Sequence, residues 1–195
     1  MQQQPGLAGL ETSASSGDIH RLFFALWPDD AVRVQMIDAA RRLRAQHAPR
    51  GRWLGEHRYH LTLQFLGDSD HLRQDLVDDA CKAAASVRQP AFDLSLDRAG
   101  SFRGSRVWWL GCERTPDGLQ GLWDALGLAL AKQRVRLRAS HALTPHVTLL
   151  RDATATLPDT PIEPVAWPVR EFVLIHSQLG SRNAYDIVQR WPLDQ

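Results

Sequence analysis

The tetrapeptide H-x-T-L occurs twice in this chain, as "HLTL" at 60–63 and "HVTL" at 146–149. Each copy lies in a run that otherwise reads as a buried strand, "HLTLQFLGD" over 60–68 and "PHVTLLRDA" over 145–153. With eight histidines in the chain, random shuffling gives about 0.05 copies of the tetrapeptide, so two are not an accident of composition. Each half of the chain offers a helix, then an H-x-T-L strand, then a further strand pair. A duplication of this length predicts two related lobes rather than a solenoid.

The remaining elements follow from hydrophobic period. "IHRLFFALW" (19–27) reads as a strand ended by Pro28. Residues 29–47 carry Val32, Met36, Ile37, Ala40 and Leu43 at helical spacing, with acidic residues at the start. A second helix is expected within 69–90, on Leu72, Leu76, Val77, Ala80, Ala84 and Val87. A third is expected over 118–135, on Leu119, Leu122, Trp123, Leu126 and Leu130. "FDLSLD" (92–97) and "SRVWWLGC" (105–112) read as a hairpin. Residues 157–168 are spaced by prolines and read as a loop, before two closing strands around a turn with Gly180 and Asn183. Adjacent strand pairs favour antiparallel pairing and an α+β class.

In an extended strand alternate side chains share a face. Strict alternation puts His60, Thr62 and Gln64 on one face and Leu61, Leu63 and Phe65 on the other. Likewise His146, Thr148 and Leu150 oppose Val147 and Leu149. Leucine faces can pack beneath helices, which leaves the two His/Thr pairs free to confront each other across a cleft. Two imidazoles so placed suit phosphodiester cleavage: one takes a proton from the attacking oxygen, the other gives one to the leaving oxygen. The threonine hydroxyls can donate to non-bridging oxygens as charge develops. No metal is expected, because acidic side chains do not cluster at ligand spacing and the two histidines of "HRYH" (57–60) alternate across a strand.

Bulk composition narrows the alternatives. A net charge of +1 gives no global argument for nucleic acid. All but Lys82 and Lys132 of the 23 basic residues are arginine, and arginine forks phosphate bidentately where lysine cannot. Arg41, Arg42, Arg44, Arg50, Arg52 and Arg58 are therefore candidates for the rim of a phosphate-binding cleft. Cys81 and Cys112 are too few for a disulfide scaffold and too far apart for a metal knuckle, which suits a reducing cytosol. Residues 1–18 lack a signal-peptide pattern and read as a disordered tail, leaving 19–195 as one bilobal domain. No segment approaches membrane-spanning length.

"RLFFALWPD", "HLTLQFLGD", "VWWLG" and "PHVTLLRDA", with the ending "FVLIHSQLG…YDIVQRWPL", together resemble the RNA 2′,3′-cyclic phosphodiesterases (2′-5′ RNA ligases) of the 2H phosphoesterase superfamily. The resemblance runs from about residue 20 to 193. It implies a bilobal α+β fold, two antiparallel sheets flanking a central cleft with helices on the outer faces. It implies metal-independent, cofactor-free hydrolysis of an RNA-terminal 2′,3′-cyclic phosphate to a 2′-phosphomonoester, with 2′-5′ ligation as the reverse. By motif position His60 is the general acid, His146 the general base, and Thr62, Thr148 and Arg151 bind phosphate. Phe24 and Phe65 match aromatics associated with the nucleobase. Alternation, however, turns Arg151 away from His146 unless the strand ends or bulges near Leu150, and it gives Phe65 an equally good core role. The expected partners are RNA ends or nucleotides bearing a cyclic phosphate, met by a cytoplasmic monomer. A second reading keeps the chemistry but uses a small cyclic nucleotide or ADP-ribose cyclic phosphate. A third is a non-catalytic RNA-binding protein, which has no need of two near-neutral proton-transfer groups.

Overall fold

Nine strands hydrogen-bond into one sheet in this computed structural model, which describes residues 19–137, 142–179 and 184–194. In chain order the elements are β1 (Ile19–Leu26), α1 (Asp30–His47), β2 (Arg52–Trp53) and β3 (Leu61–Ser69). Then come α2 (Gln74–Ala85), β4 (Phe92–Ser101), β5 (Trp108–Gly111) and α3 (Asp117–Lys132). The chain ends with β6 (His146–Arg151), β7 (Thr160–Val169), β8 (Glu171–Leu179) and β9 (Ala184–Pro192). The strand order is β7-β4-β5-β6-β3-β1-β8-β9, with β2 added to β6, and every strand pairing is antiparallel. The two sheets that the resemblance implies are the two halves of this ladder. They meet at β3 and β6 through one register pair, Leu61 opposite Val147.

The helices form for the reasons their sequences carry. Asp29 caps α1, its carboxylate accepting from the Val32 amide at 2.8 Å, and Ala48 ends the helix in the left-handed region at φ 44°. Val32, Met36, Ala39, Ala40 and Leu43 form the buried stripe of α1. In α3 the buried stripe is Leu119, Leu122, Leu126, Ala129 and Leu130. The second helix is shorter than its periodicity predicts. β3 runs on to Ser69 and α2 starts only at Gln74, which leaves Leu72 exposed instead of on the apolar stripe.

Residues 160–169 are the clearest departure from the sequence reading. The proline-spaced segment is a strand, β7, paired with β4 from Phe92–Val169 to Ala99–Thr160. Pro161, Pro164 and Pro168 are tolerated because β7 is an edge strand, where an outward position has no ladder bond to lose. Val165, Trp167 and Val169 alternate inward and are buried.

The sheet separates two apolar clusters. The larger gathers the helix stripes with Leu22, Phe24, Leu26, Leu61, Leu63, Val147, Leu149 and Leu150. The smaller, Phe23, Ala25, Val173 and Ile175 with Trp27, Phe65, Tyr185 and Ile187 against them, contains no helical residue. Phe24 belongs to the first: it is fully buried, with Phe172 and Trp191 ring centroids at 6.1 and 5.7 Å. Phe24→Ala is expected to cost about 3–5 kcal/mol in denaturant unfolding. A cost near zero would remove that ring from the core.

Candidate active site

The two motifs meet at the seam between the halves. Extending the Leu61–Val147 register by one residue each way sets His60 against Thr148 and Thr62 against His146. The two histidines are then diagonal neighbours, with side-chain roots about 7–8 Å apart in a regular ladder. Each ring is tied down in the same way. His60 Nδ1 lies 2.7 Å from the carbonyl of Arg58, and His146 Nδ1 lies 2.8 Å from the carbonyl of Thr144. In both cases the acceptor is two residues upstream. A carbonyl only accepts, so each Nδ1 carries the proton, which leaves Nε2 as the free proton-transfer atom.

Strict alternation fails after each threonine, for one physical reason. In β3, Thr62 pairs with Ala25 but Gln64 pairs with Phe24, so Leu63 is an extra residue in the ladder. Leu63 and Gln64 both turn to the helices, where Gln64 donates to the Trp123 carbonyl of α3 at 3.1 Å. Phe65 therefore returns to the motif face. In β6 the same thing happens: Thr148 pairs with Trp109 and Leu150 with Trp108, so Leu149 is extra. Leu149 and Leu150 both enter the core, and Arg151 comes back to the motif face. A bulge that shifts facing by one residue is a common device for re-aiming a side chain. The expected facing of Gln64, Phe65 and Leu150 is thus corrected, and the route by which Arg151 reaches the histidines is a bulge at Leu149.

Around His60 lie rings that sequence reasoning did not single out. Phe23, Tyr185 and Trp27 have centroids 5.0, 5.3 and 6.4 Å from it. Phe24 is on the opposite face; its neighbour Phe23 is the aromatic in the site. Phe65 lies in the same cluster, with the Arg21 guanidinium 5.5 Å from its ring centroid. On the other side Phe102 stands edge-on to His146 at 4.8 Å, and Trp109 is opposite Thr148. The indole of Trp109 lies across Gly100 and Gly111, where an added Cβ would meet it at 2.8 and 3.0 Å. The two glycines make that close approach possible. Reading the first strand on the parity of Phe23 would have found that ring; Tyr185 and Phe102 come from distant segments and carry no local signal.

Of the arginine-rich stretch, only Arg58 and Arg52 come near the motifs. Arg58 stacks on Tyr185 with its guanidinium 4.7 Å from the ring centroid, and Arg52 pairs in register with Arg151. Arg41 bonds Asp38 and Arg44 covers Trp53, both on α1. Away from the motifs, His20 has its Nδ1 2.9 Å from His176 Nε2. His141 lies outside the described residues. Among the described residues, no three His, Cys, Asp or Glu side chains gather at metal-ligating distance, and no helix is long and apolar enough to cross a membrane.

Electrostatically the site favours neutral imidazoles. Burial drives the His60 pKa down to about 4, against the opposing pull of the Arg58 carbonyl, with His146, Arg151 and Arg58 adding positive charge. His146 is lowered too, by burial first and by Arg151, again opposed by its carbonyl partner. Arg151 therefore acts on both rings.

The seam gathers two tethered imidazoles, two threonines and an arginine. Residues 26–109 match the family described as "LigT like Phosphoesterase". The chain is 36% identical to the RNA 2′,3′-cyclic phosphodiesterase of Escherichia coli K12, over 90% of this chain and 97% of that one. It is 29% identical to the protein of that name from Thermus thermophilus, over 89% and 90%. The apo crystal structure of E. coli LigT superposes with a TM-score of 0.76 at 35% identity, covering 92% of this chain and all of that one; the same protein has been solved with 3′-AMP. The chain belongs to the LigT-like phosphoesterases of the 2H superfamily, and it is a hydrolase.

Removing the charge of Arg151 should raise both imidazole pKa values, because a nearby cation opposes protonation. Arg151→Gln, followed by NMR titration of His60 and His146 in the ligand-free protein, is expected to move both upward. Unchanged values would place the guanidinium away from the rings.

Proposed function

We propose that this protein opens RNA-terminal 2′,3′-cyclic phosphates to 2′-phosphomonoesters by acid–base catalysis without a metal. The observation that carries the reading is the matched pair of Nδ1–carbonyl bonds, which leaves two Nε2 atoms free on one face. His146 Nε2 takes a proton from water, and the oxygen attacks phosphorus. His60, protonated at Nε2, gives its proton to the departing 3′-oxygen of the ribose. One O–P bond forms and one breaks, and the proton balance is restored when the rings exchange protons with solvent. Thr62 and Thr148 donate hydroxyls to the non-bridging oxygens and Arg151 supplies the charge that meets them. Phe65 and Phe23 offer faces for the base, which any base can use. With an RNA 5′-hydroxyl in place of water as the nucleophile, the same steps form the P–O5′ bond, break the P–O3′ bond and leave a 2′-5′ linkage. The names of the relatives and the 3′-AMP bound to E. coli LigT support this substrate class.

The low pKa of His60 fits this role through the charge of the substrate. An empty site keeps the imidazole neutral. A phosphodiester anion placed between the rings offsets Arg151 and favours protonation, so the proton enters with the substrate. The sign for activity follows. kcat/KM reports the free enzyme, whose imidazoles are both lowered, so it should fall as pH rises above the depressed value of His146. kcat at saturation should hold to higher pH, because the bound anion raises the pKa. Coincident profiles for the two parameters would contradict this coupling.

His60→Ala and His146→Ala should each lower turnover by about two to four orders of magnitude, assayed with chelator on a cyclic-phosphate-ended oligonucleotide. Near-normal activity in either variant removes that residue from the chemistry. Turnover confined to free cyclic mononucleotides would shift the substrate to the small-molecule class.

A further inference from the structure

Three arginines stand close to the aromatic wall around His60, and their donors are used differently. Arg21 forms a two-bond fork with Asp68, both bonds at 2.8 Å. Arg33 donates to the carbonyls of Glu56 and Pro28 and covers Trp27. Arg58 does neither. Among the described residues its one side-chain bond runs from Nη2 to the Tyr185 hydroxyl at 3.2 Å, its guanidinium carbon stands over that ring at 4.7 Å from the centroid, and its buried Nε has no partner. No described carboxylate pairs with it. A fixed, oriented guanidinium with spare donors at the mouth of a phosphoesterase site is a receptor for an anion.

The identity of that anion follows from the direction of the reaction. On the reading above, His60 protonates the departing ribose oxygen, so the nucleoside stays on the His60 side and water comes from the His146 side. Tyr185 touches His60 edge-on and holds Arg58 on its face. Arg58 therefore lies where the rest of the nucleotide continues. The 2′,3′ edge of the ribose faces the histidines, and the group leading away from it is the 5′-oxygen with its phosphate.

We propose that Arg58, positioned by Tyr185, binds the 5′-phosphate ester of the terminal nucleotide and so makes this a site for 5′-phosphorylated or chain-borne cyclic phosphates. The proposal rests on His60 being the acid. Selectivity comes from the Nη donors of Arg58, for which no described carboxylate or carbonyl competes.

The test compares adenosine 2′,3′-cyclic phosphate with and without a 5′-phosphate. Wild type should show kcat/KM about tenfold higher for the 5′-phosphorylated compound, the scale of one charged hydrogen bond. Arg58→Gln should collapse that ratio to about twofold or less, with melting temperature confirming the fold. Arg58→Lys should retain part of it, and Tyr185→Phe should lower it by loosening the guanidinium. A wild-type ratio near one overturns the proposal. So does equal loss on both substrates in Arg58→Gln, which would put the guanidinium on the scissile phosphate. Calorimetric binding of adenosine 2′,5′-bisphosphate against 2′-AMP reads the same preference without turnover. If neither cyclic compound is hydrolysed but the bisphosphate preference persists and depends on Arg58, the hydrolytic reading fails while the anion site stands.

Discussion

The antiparallel pair Leu61–Val147 is the constraint from which the site follows. Among the described residues it is the only register pair between the halves of the sheet, and it fixes both motifs at once. Because it matches the middle residue of each H-x-T, every histidine faces the other motif's threonine. The leucines on the far side anchor the seam in the main core, where Leu61, Val147 and Leu149 are fully buried. Burial beneath the sheet thus sets the geometry of polar groups above it.

Much of this was legible in the sequence. The duplication predicted the two halves, period-3.6 stripes located three helices, and the two H-x-T-L copies marked the histidines and threonines that the seam brings together. What failed did so for definable reasons. Alternation has no way to register an extra residue, so the facing of Gln64, Phe65 and Leu150 was inverted by bulges at Leu63 and Leu149. Prolines read as loop because their missing N–H weakens a strand, yet β7 sits at an edge where the loss costs nothing. Leu72 satisfied helical spacing but falls ahead of the first turn of α2.

The same limits apply to the surroundings of the histidine pair. Phe23 and Phe24 are neighbours in sequence and land on opposite faces, one in the site and one among Phe172 and Trp191. Choosing between them needs the parity of β1, which only its pairing with β3 and β8 supplies. Tyr185 and Phe102 arrive from strands remote in the chain. Arg58 stood in a list of six arginines of equal merit until the partners of each were known.

The bulges have one more consequence. They act identically on both strands, and each delivers the fifth residue after its histidine onto the shared face: Phe65 in one copy, Arg151 in the other. A doubled frame on its own would treat the two sides of a bound ester alike. Unlike residues at one equivalent position give the receptacle a polarity, an apolar bank and a cationic bank, so a symmetric scaffold acquires a direction of travel for its cargo.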